Sequence, residues 1–360
     1  MLQARITQLY LYDVADAIAL DRLAGVLGDV RPARHPSPKS PAPPSAQYQQ
    51  PPVAFAGQAV GAPSLGGSDA RVRVYDYGVV SLAFDRPFTG TWADLLALGP
   101  TLVDNSALDA QAEACCRAIV SRLADALERP RQEFLSEDYA VFALMPQAGV
   151  TADRLVADHG ADIARLLRGE PGPLSTQEID EVLRHRLSYL ADDLVVPTWN
   201  AAFVYDGEAG ADAVVEIMEY GNSQLLQYRY YDQLLDAQLG RLYDQLQAHR
   251  QPYLFGARGY TRSARQVHTL TIDVRELLDR TENALKFVGD IYAARLFALV
   301  GARLGLERWK GNIRDKLQTL DGIYHFAVEQ SGIARGEFLE LTIIAILVLE
   351  LILFFLGIMK

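Results

Sequence analysis

The C-terminal run Leu341–Met359 constrains the chain more than any other stretch. Fourteen of its 19 residues are Leu, Ile, Val or Phe, the only charge inside it is Glu350, and Lys360 closes the chain. About 20 such residues in a helix cross the ~30 Å hydrocarbon core of a bilayer. At about −0.5 kcal/mol each, the fourteen contribute roughly −7 kcal/mol to insertion. A central acidic residue costs about 3 kcal/mol. Residues 337–360 are therefore expected to form a transmembrane tail anchor with the lipid bilayer as a partner. Met1–Tyr12 has no apolar stretch followed by a small-residue cleavage site. Arg314, Lys316 and Arg335 precede the apolar run, in keeping with a positive inner side. Arginine outnumbers lysine and alanine is abundant, as in GC-rich bacteria. The expected location is a bacterial inner (cytoplasmic) membrane, single-pass, with the bulk of the 360 residues in the cytoplasm.

The rest of the composition is that of a folded, acidic body. Half of the residues are hydrophobic and 22% are charged, enough to build a core. The net charge of −11 argues against direct nucleic-acid binding. Two cysteines exclude a disulfide framework and a thiolate zinc cluster.

Along the chain the pattern predicts an α+β protein. Arg5–Asp13 reads as a strand and Ala19–Leu27 as a helix, so residues 1–30 form a strand-helix piece. Residues 31–70 hold nine of the 17 prolines and read as a Pro/Ala-rich disordered linker. Residues 71–210 alternate strands and helices: strands at Val79–Phe84, Asp138–Leu144 and Leu194–Tyr205, helices at Ala110–Leu127, Ala152–Leu167 and Thr176–Leu190. Residues 211–336 read as a helical hairpin or stalk. Val267, Val274, Thr281 and Val288 fall seven apart, with Leu270, Leu277, Ala284 and Ile291 as a second row, the spacing of a coiled coil over Thr261–Leu304.

Catalytic signatures are missing from the sequence. There is no phosphate-binding loop, dinucleotide fingerprint or nucleophile elbow. None of His35, His159, His185, His249, His268 and His325 is spaced from another as a metal ligand. Cys115 and Cys116 are neighbours on a helix and point about 100° apart. Glu216 and Glu219 share a helix face without a histidine to complete a carboxylate-bridged metal motif. No catalytic residue, cofactor, metal or small-molecule ligand is implied. Two groups stand out instead. Tyr220, Asn222, Gln224 and Tyr228 suit packing of helix on helix. Arg335, Glu340 and Glu350 flank or enter the apolar run, and an intramembrane carboxylate usually faces other protein.

The stretches VYDYGVVSLAF (Val74–Phe84), EIMEYGNSQLLQYRYYD (Glu216–Asp232) and ARGEFLELTIIAILVLELILFFL (Ala334–Leu356) resemble the "required for meiotic nuclear division" (RMD-type) family. In the last stretch Arg335, Leu339, Glu340, Ile343, Ile344 and Glu350 match its pattern. The resemblance implies membrane anchoring and homo-oligomers, with mitochondrial members supporting organellar translation. It carries over no catalytic residue.

The expected function is accordingly a non-catalytic, tail-anchored, homo-oligomeric scaffold or tether, self-associating through its helices and anchor. The alternatives are a ribosome-associated tether, as the resemblance suggests, and an enzyme with a site in the α/β domain that lacks a short signature.

Overall fold

The computed structural model describes residues 1–27, 31–32, 46–48, 51–103, 105–248, 269, 271–272, 274–276, 278–279, 285–287 and 291–355. It is a mixed α+β structure in two compact units, Met1–Tyr230 with Asp279–Trp309, and Tyr231–Leu278 with Lys310–Lys360.

The first unit is built on an eight-stranded sheet of order β2-β4-β5-β6-β1-β7-β9-β8. The strands are β1 (Leu2–Ile18), β2 (Arg31–Pro32), β4 (Val53–Ala56), β5 (Ala70–Val74), β6 (Val79–Gly90), β7 (Leu127–Leu144), β8 (Leu194–Pro197) and β9 (Ala201–Tyr205). A separate pair joins β3 (Ala46–Tyr48) to β10 (Leu285–Phe287). The N-terminal strand is central: β1 lies antiparallel to β6 on one side and to β7 on the other. Among the described strands, β7 and β9 are the pair that runs parallel. The register of β1 against β7 slips between Asp13 and Ala15.

Alternation along β1 gives the sheet two unlike faces. The even side chains Leu2, Ala4 and Ile6 pack with helices α2 (Trp92–Leu102), α4 (Ala152–Arg168) and α5 (Thr176–Arg184). Tyr10, Tyr12 and Val14, on the same face, pack with α3 (Ser106–Arg122), and helix α1 (Leu20–Leu27) follows β1. Cys115 and Cys116 both lie in this second cluster, so the adjacent cysteines are core residues; burial pushes the Cys115 thiol up to about 11. The odd face lies under α6 (Glu208–Ala248). Within Ala211–Tyr228 only Asp212 is exposed, so this segment is covered all round. Its outer side meets α7 (Ile291–Leu304): Tyr220 packs on Phe297 at 5.4 Å between ring centres. A Cβ at Gly221 would come within 2.9 Å of Val300, so glycine is what lets α7 approach so closely.

In the second unit, Leu235 and Leu242 of α6, Val274, Leu278, and Ile313, Leu317 and Leu320 of α8 (Leu306–Phe355) are buried. Lys316 pairs with Asp232 at 2.6 Å and Asp236 at 2.7 Å, and Arg275 with Asp321 at 2.5 Å.

Several sequence expectations change. Among the described residues no helix is long and apolar enough to cross a membrane. The apolar run is the end of the 50-residue α8, whose described residues reach Phe355. Leu341–Phe355 rises only about 22 Å at 1.5 Å per residue, short of a ~30 Å core, and it carries Glu350. The insertion sum counted residues beyond the described helix. The expected C-terminal transmembrane helix, tail anchor, membrane keywords and inner-membrane location are thereby overturned. The expected continuous helix over Thr261–Leu304 is interrupted by strand β10, because Lys286 and its neighbours pair with residues 46–48. The heptad residues Val267, Leu270, Leu277, Thr281, Ala284 and Val288 lie outside the described residues, whereas Val274 is buried. Within the expected linker, Val53–Ala56 forms β4 against β5; residues 33–45 lie outside the described residues. The expected helix Ala110–Leu127 ends at Arg122, since β7 begins at Leu127 and follows β1.

The β5–β6 turn closes with Gly78, whose φ is +88°. A Cβ there would sit 1.9 Å from the Ala15 carbonyl oxygen. Gly78→Ala is expected to cost about 3 kcal/mol or more through strain and displacement of β1, read as a lower urea midpoint at unchanged slope.

Candidate functional site: the polar seam beneath helix α6

A line of charged and polar side chains runs between the odd face of the sheet and α6. Strand geometry puts them there: Arg5, Thr7 and Asp13 share one face of β1, and Arg71 and Arg73 share one face of β5. Helix spacing supplies the partners, since Asp212, Glu216, Glu219, Ser223 and Gln227 recur every three or four residues.

At one end Arg5 pairs with Asp212 at 2.5 Å, and Asp85 accepts a hydrogen bond from Thr7 at 2.6 Å and faces Arg71 at 3.2 Å. In the middle Arg73 reaches Glu219 at 2.5 Å and Glu216 at 3.6 Å, and Glu219 is only 2% exposed. Tyr75 is fully buried beside them. Burial, reinforced by Glu219, raises its hydroxyl well above the usual tyrosine range. The hydroxyls of Tyr77 and Ser223 share a 2.7 Å hydrogen bond.

At the far end Asp13, with 0% exposure, accepts from Arg131 at 2.5 Å and from the Gln227 amide at 3.1 Å. Arg131 also bonds Asp16 at 2.7 Å and lies 3.6 Å above the Tyr230 ring. Arg129, the non-glycine residue with positive φ (51°), pairs with Asp16 at 2.8 Å. Arg229 pairs with Glu137 beside this cluster.

The seam can hold a helix in place, and its acids are engaged by protein groups. Glu216 and Glu219 share the guanidinium of Arg73. Among the described residues no group of three or more His, Cys, Asp or Glu is placed to hold a metal ion. His159 sits 3.1 Å from Asp162 and stacks on Trp92 at 4.4 Å, and His185 lies 3.7 Å from Glu181. His35, His249 and His268 lie outside the described residues.

The residues singled out from sequence separate into two groups. Tyr220, Asn222, Gln224 and Tyr228 all lie in the buried segment of α6. Asn222 donates to the Met218 carbonyl at 2.8 Å and Gln224 to the Tyr220 hydroxyl at 2.9 Å. Glu340 and Glu350 are exposed on α8, and Arg335 lies within α8 with its side chain outside the described residues. The two groups belong to different units. Asp13, Arg73 and Arg131 escaped the sequence reading. For Asp13 and Arg73 the signal was a charge within an otherwise apolar strand, as in ARVRV (Ala70–Val74), whereas Arg131 lies in a polar stretch that carried none.

These features define an α+β protein whose mixed sheet carries one long helix on an ion-paired seam. The chain belongs to the family described as "Uncharacterized protein MJ0711, N-terminal domain", which matches residues 3–212. It is similar to the uncharacterized protein MJ0711 of Methanocaldococcus jannaschii, 23% identical over 201 residues. That match covers 56% of this chain and 61% of the relative, so the chain spans about three-fifths of the relative's length. No solved structure matches the chain. The resemblance to the RMD-type family is therefore overturned, and the relative is archaeal rather than bacterial. The stretches that carried it are a turn between strands, a buried helix and an apolar helix end, patterns that packing imposes on unrelated chains. The family match ends at the first turns of α6; the acids from Glu216 onward lie beyond it.

Breaking the middle of the seam is expected to be costly. Arg73→Met leaves Glu216 and Glu219 buried without their cation, a loss of about 3–5 kcal/mol, measurable by urea unfolding. Glu113→Ala, which breaks an exposed helix pair with Arg117, should cost well under 1 kcal/mol.

Proposed function

We propose that the protein is a non-catalytic, homo-oligomeric scaffold whose copies associate through the apolar end of α8. One observation carries this reading. Ile343, Ile344, Ile346, Leu347, Val348, Leu349 and Ile352 are all about half exposed on one stretch of helix. Contiguous apolar surface of a few hundred Å² marks an interaction site, and a helix apolar on every side is normally buried. An identical helix is a fitting cover, because it brings no charge that the run would have to desolvate beyond Glu350. The polar seam supports the same reading from the other side, since its buried acids are committed to arginines and amides.

Light scattering on the full-length chain at tens of micromolar should give a mass of two or more chains. Ile344→Asp with Leu347→Asp should shift it toward one chain while leaving the circular dichroism spectrum unchanged. A single-chain mass for the unsubstituted protein at all concentrations would overturn the proposal.

A further inference from the structure

The far end of the seam repeats the arrangement of Glu216 and Glu219 on Arg73, but at a place where sheet and helix are joined differently. Two carboxylates, Asp13 and Asp16, share a single buried guanidinium, that of Arg131. The cluster draws on three elements: Asp13 and Asp16 from β1, Arg131 and Arg129 from β7, Gln227 and Tyr230 from α6. It also sits where the sheet is irregular, at the register slip between Asp13 and Ala15. And it holds the last residues of α6 that belong to the first unit, which ends in this helix at Tyr230.

We propose that this cluster is a proton-operated latch on the Gln227–Tyr230 segment of α6, firmer when Asp13 is neutral and looser when it is ionised. The reason is solvation. An ionised Asp13 at 0% exposure has lost its water and shares its one cation with Asp16. Opening the helix end gives that charge its water back. A neutral Asp13 gains far less from opening, and it can still bond Gln227.

The other titratable and charged groups around it are Asp16 on β1, Arg129, Arg131 and Glu137 on β7, and Arg229 and Tyr230 on α6, with Arg229 paired to Glu137. On the β5–β6 turn, the Asp76 and Gly78 carbonyls accept from Ile18 and Val14 on either side of the cluster. Tyr77 of that turn is engaged with Ser223.

Burial pushes the Asp13 carboxyl up from 3.8 to about 6, and Asp16 adds to the rise, while Arg131 and Gln227 oppose it. Below the unfolded value both states are protonated. Between the two values the closed form keeps a proton that the open form has released, so closure weakens as pH rises through this window. Above about 6 the weakening is complete. The proton goes to solvent.

Hydrogen exchange on the full-length chain tests this, with rates corrected for the intrinsic pH dependence. Amides of residues 227–231 should open more often at pH 7.5 than at pH 4.5, by up to about 25-fold for a shift of roughly two pH units whose lower part lies below pH 4.5. Amides of α4 serve as the reference and should not change in parallel. Asp13→Asn should remove the difference. Asp16→Asn leaves Arg131 to Asp13 alone and should move the midpoint to lower pH, a readout that a purely structural role would not give. Equal opening at both pH values, or a pH dependence that survives Asp13→Asn, overturns the latch. If Asp13→Asn does not fold, an unmoved midpoint in Asp16→Asn overturns it as well.

Discussion

Charges can be placed under a buried helix only if each finds its opposite, and the first unit is organised around that requirement. Removing a carboxylate or guanidinium from water costs several kcal/mol per ion, returned only by close, well-aligned partners. Along α6 the partners come in a fixed sequence, from Asp212 on Arg5 through Glu219 on Arg73 to Gln227 on Asp13. Sliding the helix by one turn would misalign all of them together. The seam thus sets the register of α6 on the sheet, which apolar contacts alone would leave less sharply defined. Gly221 then fixes where α7 crosses, because only there does the backbone admit Val300.

The opposite face follows a different rule. It is mostly apolar, with Gln8 a buried exception that bonds the Tyr10 hydroxyl, and α2, α4 and α5 share it with α3 in two clusters laid along β1. Such contacts are non-directional, so they contribute stability with little demand on register. The sheet therefore has one face that supplies most of the apolar burial and one that supplies the orientation of a long helix. Tyr139 links the sheet to the β8–β9 turn, donating to the Thr198 and Ala201 carbonyls at 3.0 and 2.8 Å.

Local patterns in the sequence carried the elements of this unit that close through short-range rules. Thr91 caps α2 with a reciprocal bond to Asp94, and Ser175 caps α5 by accepting from the Glu178 amide, both legible as capping residues. The first strand was visible from RITQLYLYD, although its continuation to Ile18 depends on partners far along the chain. What was not legible depended on distant pairing. Residues 128–137 are mostly polar and carry Pro130, so nothing local marks them as a strand until β1 is laid beside them. Lys286 sits in a helical pattern until residues 46–48 pair with it. Glu216 and Glu219 could be placed on one helix face from their spacing, but the arginine that pairs with them lies some 146 residues away from Glu219 and was not legible. The apolar end of α8 misled for a related reason: hydropathy summed over a window does not register where a helix begins and ends.

The central position of β1 has a consequence for how the chain is made. The strand is synthesised before both of its neighbours, residues 79–90 and 127–144. Roughly the first 30 residues must then wait, with their apolar side chains uncovered, while more than a hundred others are added. The N-terminal strand is thus the part most in need of shielding on the nascent chain, and deleting it would split the finished sheet in two.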